Sequence, residues 1–129
     1  MRLILDTHTL LWWDAERGKL SPTALAFCQD PGNTLLVSMA SLWELQIKVQ
    51  TGKLILREPL TTIVKDQEAN GVLFLPISQE HVYALDSLPF FHKDPFDRLI
   101  LAQARVEGAT LLSADTVMPD YAQFVPILW

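Results

Sequence analysis

The sequence has few of the features that mark secreted, membrane-spanning or zinc-binding proteins. Its 129 residues include one cysteine, Cys28, so an internal disulfide cannot form, and no Cys-x-x-Cys pair or Cys/His cluster indicates zinc. No uninterrupted apolar run approaches the roughly 18 residues that a membrane-spanning helix needs. Asp6 and His8 interrupt the apolar N-terminus, and no signal-peptide cleavage site follows. We therefore expect a cytoplasmic protein with no membrane contact and with Cys28 in its core.

The sequence also lacks an excess of positive charge. The formal net charge is −5, and the isoelectric point is about 5.0. A general nucleic-acid coat, which needs a basic face, is therefore excluded. A nuclease is not excluded, because carboxylates gathered to hold metal ions make a chain acidic, and bound divalent cations reverse that local charge.

Short apolar runs alternate with helical patterns along the chain, with no linker, internal repeat or low-complexity segment. The predicted strands are apolar on both faces, as a buried parallel sheet requires, and cover residues 2–6, 34–38, 72–76, 109–115 and 124–129. The predicted helices cover about residues 8–15, 22–29, 41–51, 59–69, 79–87 and 95–106. This alternation predicts a three-layer α/β/α fold around a mainly parallel five-stranded sheet, in a single domain over residues 1–129.

Glycine and proline positions support these boundaries. Gly52, Gly71 and Gly108 lie where helices are predicted to end, and a glycine commonly follows the last helical residue. Pro126 lies within the last apolar run and lacks a backbone N–H. That strand is therefore predicted at an edge of the sheet.

Four acidic residues are predicted at one edge of this sheet. Asp6 and Asp115 end the first and fourth predicted strands, and Glu44 and Asp97 lie near the starts of predicted helices. Ligand sites in open parallel sheets form beyond the carboxyl ends of the strands, where the helices begin. We therefore expect the four carboxylates to converge, although they are far apart in the sequence.

Each of these acids also has a purely local explanation. Asp6 is placed to cap the helix that follows it, and Asp115 to cap a short turn. The stretch "SLWE" fits a capping box, in which Ser41 is the N-cap and the Glu44 side chain accepts the backbone N–H of Ser41. On this interpretation the acids serve the backbone, and only their coincidence at one edge points to chemistry.

The stretch "HKDPFDRLILAQA" carries the same ambiguity within a single helix start. Asp94 followed by Pro95 is an ordinary beginning for a helix, so Asp94 is interpreted mainly as the cap. Asp97 then falls at the third helical position, where a carboxylate gains from the helix dipole. It is either a helix-start residue or one of the converging acids.

Converging carboxylates need a compensating charge. Two unit charges about 5 Å apart repel by roughly 3 kcal/mol at an effective dielectric constant near 20. A hard divalent cation compensates this repulsion directly, and an all-oxygen site suits Mg²⁺ or Mn²⁺. Such an ion accepts phosphate oxygens as ligands, so the site indicates hydrolysis of phosphate esters.

Four blocks of the sequence resemble the signature blocks of the PIN-domain ribonucleases, in order and near the usual spacing. Within that family they are most similar to the toxins of bacterial VapBC toxin–antitoxin pairs. The match spans nearly the whole chain. The blocks are "LILDTHTLLWW", "SMASLWEL", "FHKDPFDRLILAQA" and "TLLSAD".

The resemblance implies a parallel sheet with strand order 3-2-1-4-5, a Mg²⁺- or Mn²⁺-dependent endoribonuclease site, a homodimer and a small antitoxin partner. By position, Asp6, Glu44, Asp97 and Asp115 correspond to the acidic quartet that holds the metal and carries catalysis. In that strand order, strands 1 and 4 flank the switch point, where Asp6 and Asp115 would face each other.

Several polar residues near these acids are candidates for supporting roles. Thr7 and Ser113 carry hydroxyls that either hold carboxylates or a metal-bound water, or satisfy backbone groups. His8 stands where the resembling family often has a small polar residue, so no role is assigned to it. His92 either contacts substrate phosphate or is a partly exposed histidine before a helix cap.

Basic and aromatic side chains near the blocks are candidate RNA contacts. Lys48 is either a helix ion-pair partner of Glu44, four residues earlier, or part of an RNA path. The other cations of that path are Lys53, Arg57, Lys93 and Arg98. Three of the four tryptophans are favoured as core or dimer contacts over base-stacking platforms; they are Trp12, Trp13 and Trp43.

Two other functions compete with the nuclease hypothesis. "LILDTHT" resembles the Asp-x-Asp-x-Thr block of haloacid-dehalogenase-type phosphatases, but His8 occupies the place of the second aspartate and removes the general acid. The non-enzymatic alternative is an α/β interaction module in which all of the acids are caps, and a pure cap protein should show no saturable Mn²⁺ site.

Overall fold

A five-stranded parallel sheet forms the centre of the molecule in the computed structural model, which describes residues 1–129. The strands follow the order β3-β2-β1-β4-β5, and every neighbouring pair is parallel, which confirms the predicted sheet. The strands are β1 (Arg2–Leu5), β2 (Thr34–Ser38), β3 (Leu73–Leu75), β4 (Thr110–Leu112) and β5 (Ile127–Leu128).

Six α-helices connect and cover the strands. They are α1 (Thr7–Ala15), α2 (Pro22–Gln29), α3 (Met39–Gln50), α4 (Leu60–Ala69), α5 (Gln79–Ala84) and α6 (Pro95–Glu107). Short 3₁₀ turns lie at Arg17–Lys19, Leu85–Ser87 and Met118–Tyr121. None of the helices combines the length and apolarity needed to cross a bilayer.

Helices cover the sheet on both faces, which confirms the three-layer architecture. In β1, Leu3 and Leu5 belong to one buried cluster, together with side chains of α1 and α2, and Ile4 belongs to a second cluster with side chains of α6. All three side chains are fully buried. This burial on both faces explains why the strands are continuous apolar runs. Cys28 lies in the first cluster, as predicted.

The fourth strand ends earlier than predicted, and this places two polar residues, Ser113 and Asp115, beyond its end. The sequence predicts a strand over 109–115, but the ladder stops at Leu112. The Ser113 hydroxyl donates to Asp6, and the backbone N–H of Asp115 donates to the Ser113 hydroxyl at 3.1 Å. Side-chain hydrogen bonds therefore replace the strand ladder, and the chain turns into the edge where β1 also ends.

The N-cap of helix α3 lies three residues before the predicted cap, so the capping box of Ser41 and Glu44 is wrong. Ser38, the last residue of β2, is the N-cap, and its hydroxyl accepts from Ala40 N at 2.9 Å. No linker separates the strand from the helix. Both Ser41 and Glu44 are consequently inside the helix and buried, where their side chains meet α1 instead of the backbone.

Turn and edge residues lie where the sequence predicts them. Gly108 follows α6 with φ of 62°, a left-handed conformation that other residues adopt at a cost. Gly52 and Gly71 also have positive φ next to the ends of α3 and α4. Pro126 directly precedes β5, which is an edge strand, so the missing N–H removes no ladder hydrogen bond.

Arg57 pairs with acids of two helices and holds the loop after α3 against them, while its place on an RNA path stays a prediction. Its guanidinium donates to both carboxylate oxygens of Asp14, at 2.7 and 2.9 Å, and to Asp66 at 2.9 Å. The Asp14 side chain is 2% exposed. Burial acts to raise the pKa of Asp14, but hydrogen bonds from Arg57 and Gln67 outweigh it and hold this pKa below its ordinary value.

We expect Arg57→Gln to lower the free energy of unfolding clearly more than a surface substitution does, because it leaves the nearly buried carboxylate of Asp14 without its cation. Asp66→Asn is the matched control, because Asp66 contacts only the outer side of Arg57 and is half exposed, so the loss should stay below about 1 kcal/mol. Urea denaturation measures both changes. Equal, small losses in the two variants would contradict a structural role for Arg57.

Candidate active site

All four acids of the predicted quartet line one open cleft at the carboxyl edge of the sheet. Asp6 follows β1 and Asp115 lies beyond β4, while Glu44 projects from α3 and Asp97 from the first turn of α6. The cleft has a volume of about 400 Å³. Its lining residues are Asp6, Thr7, His8, Trp12, Glu44, Lys48, Asp94, Asp97, Ala114 and Asp115.

Asp6 is held by three donors. Its Oδ1 accepts from the backbone N–H of Thr9 at 2.9 Å and from the Thr9 hydroxyl at 2.6 Å, and its Oδ2 accepts from the Ser113 hydroxyl. The first bond makes Asp6 the N-cap of α1, as the local interpretation predicts. The residue is 5% exposed. Asp6 is therefore a cap and also a fixed carboxylate at the cleft wall.

Glu44 is fixed between α1 and its own helix. The Thr7 hydroxyl donates to Glu44 Oε1 at 2.6 Å and lies 3.0 Å from the Ser41 hydroxyl. Lys48 Nζ lies 3.1 Å from Glu44 Oε2, which is the i,i+4 ion pair that the sequence suggested. The predicted hydroxyl residues Thr7 and Ser113 thus both contact carboxylates of the quartet.

Asp97 and Asp115 share one imidazole. His92 Nε2 lies 2.8 Å from Asp115 Oδ2 and 3.0 Å from Asp97 Oδ2. Asp115 Oδ1 accepts from the backbone N–H of Val117 at 2.9 Å, which is the short-turn cap that the local interpretation predicts. The ring nitrogen and the two carboxylate oxygens lie within 4.8 Å of one another.

Asp94 caps α6 as predicted, with its Oδ1 accepting from the backbone N–H of Phe96 at 2.8 Å and of Asp97 at 3.3 Å. It also lines the cleft, so its charge acts on the quartet. One carboxylate can therefore serve the helix start and still contribute to the negative potential of the site.

The pKa values of Asp97 and Asp115 are shifted in opposite directions. Burial and, to a smaller extent, the neighbouring charges of Asp94, Asp6 and Glu44 raise the pKa of Asp97 to about 7, against the opposing effect of His92. For Asp115, burial also acts to raise the pKa, but the Val117 N–H and His92 outweigh it, so this pKa lies below the ordinary value. The cluster therefore holds a proton at Asp97 near neutral pH when no cation is present.

The donor set of the cleft fits a hard cation. Five carboxyl-bearing side chains line it, from Asp6, Glu44, Asp94, Asp97 and Asp115, against a single cation, Lys48. Carboxylate oxygens are the ligands that hard divalent ions prefer, and no thiol is present to favour a soft one. The arrangement can bind such an ion and balance its charge.

One predicted substrate contact is wrong. Arg98 is 6% exposed, and its guanidinium donates to the carbonyl of Pro89 at 2.7 Å and of Leu88 at 3.2 Å. It also stacks on Phe90, with 3.9 Å from Cζ to the ring centroid. Its donors are used inside the protein, so Arg98 fastens the loop before α6 and does not line an RNA path.

The remaining predicted cations lie near the cleft. Lys48 lines both the cleft and a neighbouring groove, and Lys53 lines that groove as well. Lys93 is exposed next to His92.

The three tryptophans predicted as core or dimer contacts have different environments. Trp13 is buried in the core, as predicted. Trp12 packs against that core and contacts His8 and Trp129, with ring centroids 5.9 and 5.7 Å apart. Trp43 is 62% exposed and packs edge-on against Phe96. Only Trp13 is fully enclosed, and Trp12 alone among them reaches the cleft.

Thr9, Ser41 and Tyr121 support the site but were not found from the sequence. Thr9 holds Asp6 and also donates to the carbonyl of Leu112 at 3.1 Å, and Ser41 contacts Thr7. Thr9 carried a signal, since a residue three positions after an N-cap faces the capping carboxylate. Tyr121 carried none, because its hydroxyl meets the backbone of His92 through a contact 29 residues apart.

These features define a class of protein. A parallel α/β sheet carries acids beyond the carboxyl ends of β1 and β4, on either side of the point where the strand order reverses, and the cleft between them suits a hard cation. The family model for the PIN domain matches residues 3–123. The chain therefore belongs to the PIN domain family and is not a haloacid-dehalogenase-type phosphatase.

Individual relatives agree with this assignment. The chain is 29% identical over 126 residues to Ribonuclease VapC22 of Mycobacterium tuberculosis, covering 97% of this chain and 95% of that protein. In fold it is similar to VapBC2 from Rickettsia felis, bound to a promoter DNA fragment, with a TM-score of 0.74 and 19% sequence identity. That match covers 100% of this chain and 99% of the other. It is also similar in fold to VapBC-1 from nontypeable Haemophilus influenzae, with a TM-score of 0.67 and 17% sequence identity. That match covers 99% of this chain and 97% of the other.

The raised pKa of Asp97 predicts how Asp97→Asn changes stability. An acid whose pKa rises from 3.8 to about 7 on folding stabilises the protein at low pH and loses that contribution as the pH rises through about 7. In EDTA at about pH 8, we expect Asp97→Asn to be more stable than the parent, by on the order of 1–2 kcal/mol, and at about pH 5 to have lost most of that advantage. Thermal melts at both pH values measure this difference.

Glu80→Gln is the matched control, because Glu80 also lies in the first turn of a helix but is outside the cleft. Its loss removes a favourable contact with the helix dipole, so that variant should be slightly less stable than the parent. If Asp97→Asn were slightly less stable than the parent at both pH values, as expected for Glu80→Gln, Asp97 would be only a helix-start residue.

Proposed function

We propose that the chain is a Mg²⁺- or Mn²⁺-dependent endoribonuclease that hydrolyses RNA phosphodiester bonds, and that it is the toxin of a toxin–antitoxin pair. The observation that carries the proposal is the imbalance of charge in the cleft, where five carboxyl-bearing side chains face one lysine. Membership of the PIN family and similarity to a protein named as a ribonuclease support it.

Asp6, Glu44, Asp97 and Asp115 would hold the metal in this proposal. Asp6 and Glu44 are already oriented by hydroxyls, through Ser113 and Thr7, so that little reorganisation is needed on binding. Asp97 must lose its proton to act as a ligand. Metal affinity should therefore increase as the pH rises through about 7.

The proposed reaction is an in-line hydrolysis of the phosphodiester bond, for which these residues would hold the ion. When bound, the ion supplies a Lewis acid that activates the attacking water and stabilises negative charge on the scissile phosphate. The water oxygen forms a bond to phosphorus as the bond to the ribose 3′ oxygen breaks. One proton leaves the water and one reaches the 3′ oxygen, so the products carry a 5′-phosphate and a 3′-hydroxyl. The fixed carboxylates hold the ion and orient the water.

The free chain is expected to cleave single-stranded or loop RNA when Mg²⁺ or Mn²⁺ is present and to lose this activity in EDTA. Asp6→Asn should reduce cleavage to background because it removes a ligand while leaving a side chain that can still cap α1. Glu68→Gln, at an exposed position on α4, is the control that should cleave normally. Gel analysis of labelled RNA measures the rates. Undiminished cleavage in EDTA, or by folded Asp6→Asn, would refute the proposal.

The groove beside the cleft is the proposed RNA path. Lys48 and Lys53 line this groove together with Phe96, and the groove shares Glu44 with the acidic cleft. Lys53 is exposed, so its ammonium group can meet a phosphate next to the scissile bond. Lys93 is exposed just before the N-cap of α6 and would meet the RNA strand on that side.

Lys53→Ala should raise KM with little change in kcat, because a phosphate contact remote from the reacting atoms affects binding. The slope of log KM against log salt should fall by about 0.7 for one lost contact to single-stranded RNA. Lys65→Ala, an exposed lysine of α4, is the control. Steady-state kinetics at several salt concentrations measure the slope. An unchanged slope in Lys53→Ala would contradict the proposed path.

A small antitoxin protein is the proposed inhibitor. The two similar structures described above are VapBC complexes, and a cleft with excess carboxylate is matched in charge by an arginine, which binds carboxylates in a bidentate manner. Such an arginine would compete with the metal ion for the same oxygens.

The co-purified complex is therefore expected to cut RNA more slowly than the free chain at the same metal concentration. Removing the antitoxin should restore the rate, and raising the metal concentration should restore part of it. Equal rates for complex and free chain would exclude inhibition at the cleft.

A second copy of the chain is the other proposed partner. Large apolar side chains remain exposed on this chain, including Trp43, Tyr83, Phe90 and Phe91. Side chains of this kind are enriched at protein interfaces. Light scattering should give the mass of a homodimer for the free toxin, and a monomer mass would contradict the proposal.

A further inference from the structure

His92 is fixed in the protein from two sides. Its backbone N–H donates to the Tyr121 hydroxyl at 2.9 Å, and that hydroxyl donates to the carbonyl of Pro89 at 2.6 Å. Its ring accepts, at Nδ1, the backbone N–H of Asp94 at 3.1 Å. The His92 side chain is 15% exposed. The position and the plane of the imidazole are therefore set by groups outside the acidic quartet.

The contact with Asp94 determines which ring nitrogen carries the proton. A backbone N–H can only donate, so Nδ1 must present its lone pair and the ring proton lies on Nε2. The Nε2–H then donates to Asp115 Oδ2, 2.8 Å away, and Asp97 Oδ2 lies 3.0 Å from the same nitrogen. One ring nitrogen thus contacts two carboxylates from different elements, α6 and the loop after β4.

This tautomer distinguishes two roles for His92 near a cation. As a ligand, Nε2 would need its lone pair, so the proton would move to Nδ1 and face the N–H of Asp94. That exchange would replace a hydrogen bond by two opposed donors at the residue that caps α6. As an outer donor, the ring keeps both of its hydrogen bonds. The structure favours the second role.

A second histidine, away from the cleft, has the same pattern of hydrogen bonds. His81 Nδ1 accepts the backbone N–H of Ser78 at 3.0 Å, and its Nε2 lies 3.0 Å from Glu107 Oε2. In both places a backbone N–H near a helix start orients the ring, so that the opposite nitrogen donates to a carboxylate.

We infer that His92 is a positioning residue: its Nε2–H holds the carboxylates of Asp115 and Asp97 in the orientation that a divalent cation requires, and the ring itself does not ligate the ion. The inference rests on the proposed metal site. Groups that orient metal-binding carboxylates in this way contribute strongly to affinity although they do not touch the ion. His92 would then act on metal binding, and its assignment to substrate phosphate becomes unnecessary.

Two amide variants test this role. In His92→Gln the amide nitrogen reaches about as far as Nε2 and can replace the donor to the carboxylates. In His92→Asn the shorter amide offers an oxygen near the place of Nδ1, so it keeps the acceptor for Asp94 and loses the donor to the carboxylates. The pair therefore separates positioning of the carboxylates from support of the helix start, with the same functional group.

Calorimetric titration of the metal-free full chain with Mn²⁺ gives the first readout. We expect the dissociation constant of His92→Asn to be about 10- to 100-fold weaker than that of the parent, and His92→Gln to stay close to the parent. Equal binding by the parent and both variants, or weaker binding by His92→Gln than by His92→Asn, would overturn the role of His92. A parent chain with no saturable Mn²⁺ site would instead refute the metal site itself.

Nitrogen NMR of the ring gives a second readout that does not depend on a variant. The ¹⁵N shifts of His92 should show a protonated Nε2 and an unprotonated Nδ1, both in EDTA and after saturation with Mg²⁺. An Nε2 that becomes unprotonated on adding Mg²⁺ would show that the ring ligates the ion. A protonated Nδ1 in EDTA would overturn the tautomer on which the inference depends.

Discussion

Repulsion among carboxylates at the carboxyl edge of the sheet is the constraint around which the rest of the site is organised. The parallel topology brings the ends of β1 and β4 side by side, and α3 and α6 begin beside them, so acids from four parts of the chain share one cleft. Unit charges at such separations repel by several kcal/mol unless protons, donors or a cation intervene. The chain uses hydroxyls at Asp6 and Glu44, an imidazole between Asp97 and Asp115, and a proton on Asp97 near neutral pH.

The acids also serve the backbone, and this dual use explains why the local and the functional interpretations both looked adequate. Asp6 caps α1, Asp94 caps α6, and Asp115 caps the turn beyond β4. A helix N-terminus and a cation-binding carboxylate are compatible because the carboxylate has two oxygens with several acceptor positions. Asp6 shows this directly, with one oxygen bonded by Thr9 and the other by Ser113. Capping then fixes the carboxylate that a metal would use.

The sequence was sufficient to predict the sheet, its order and the placement of the four acids, because those features follow from local patterns and from resemblance in four blocks. Strand ends and helix starts mark Asp6, Asp97 and Asp115 without knowledge of long-range contacts. The start of α3 was misplaced because Ser38 and Ser41 are both good caps, and only the end of β2 decides between them.

Other features depend on contacts between distant parts of the chain, which no local pattern reveals. Arg57 carries the same charge as Lys53 but is paired with acids of α1 and α4, and the buried Arg98 donates to backbone carbonyls. The backbone contact of Asp94 with His92 Nδ1 is local, whereas the contacts of His92 with Tyr121 and Asp115 are not. The orientation of the imidazole, and with it the proton between the two carboxylates, could therefore be found only in the folded structure.

A divalent cation is proposed to complete this carboxylate cluster. Calorimetric titration of the metal-free chain with Mn²⁺ near pH 7, in buffers of different ionisation enthalpy, measures both binding and the protons it releases. The account predicts one saturable site whose binding releases protons, because Asp97, with a pKa of about 7, must ionise to become a ligand, and it predicts less release at higher pH. Absence of saturable binding, or binding of equal strength in Asp6→Asn, would contradict it.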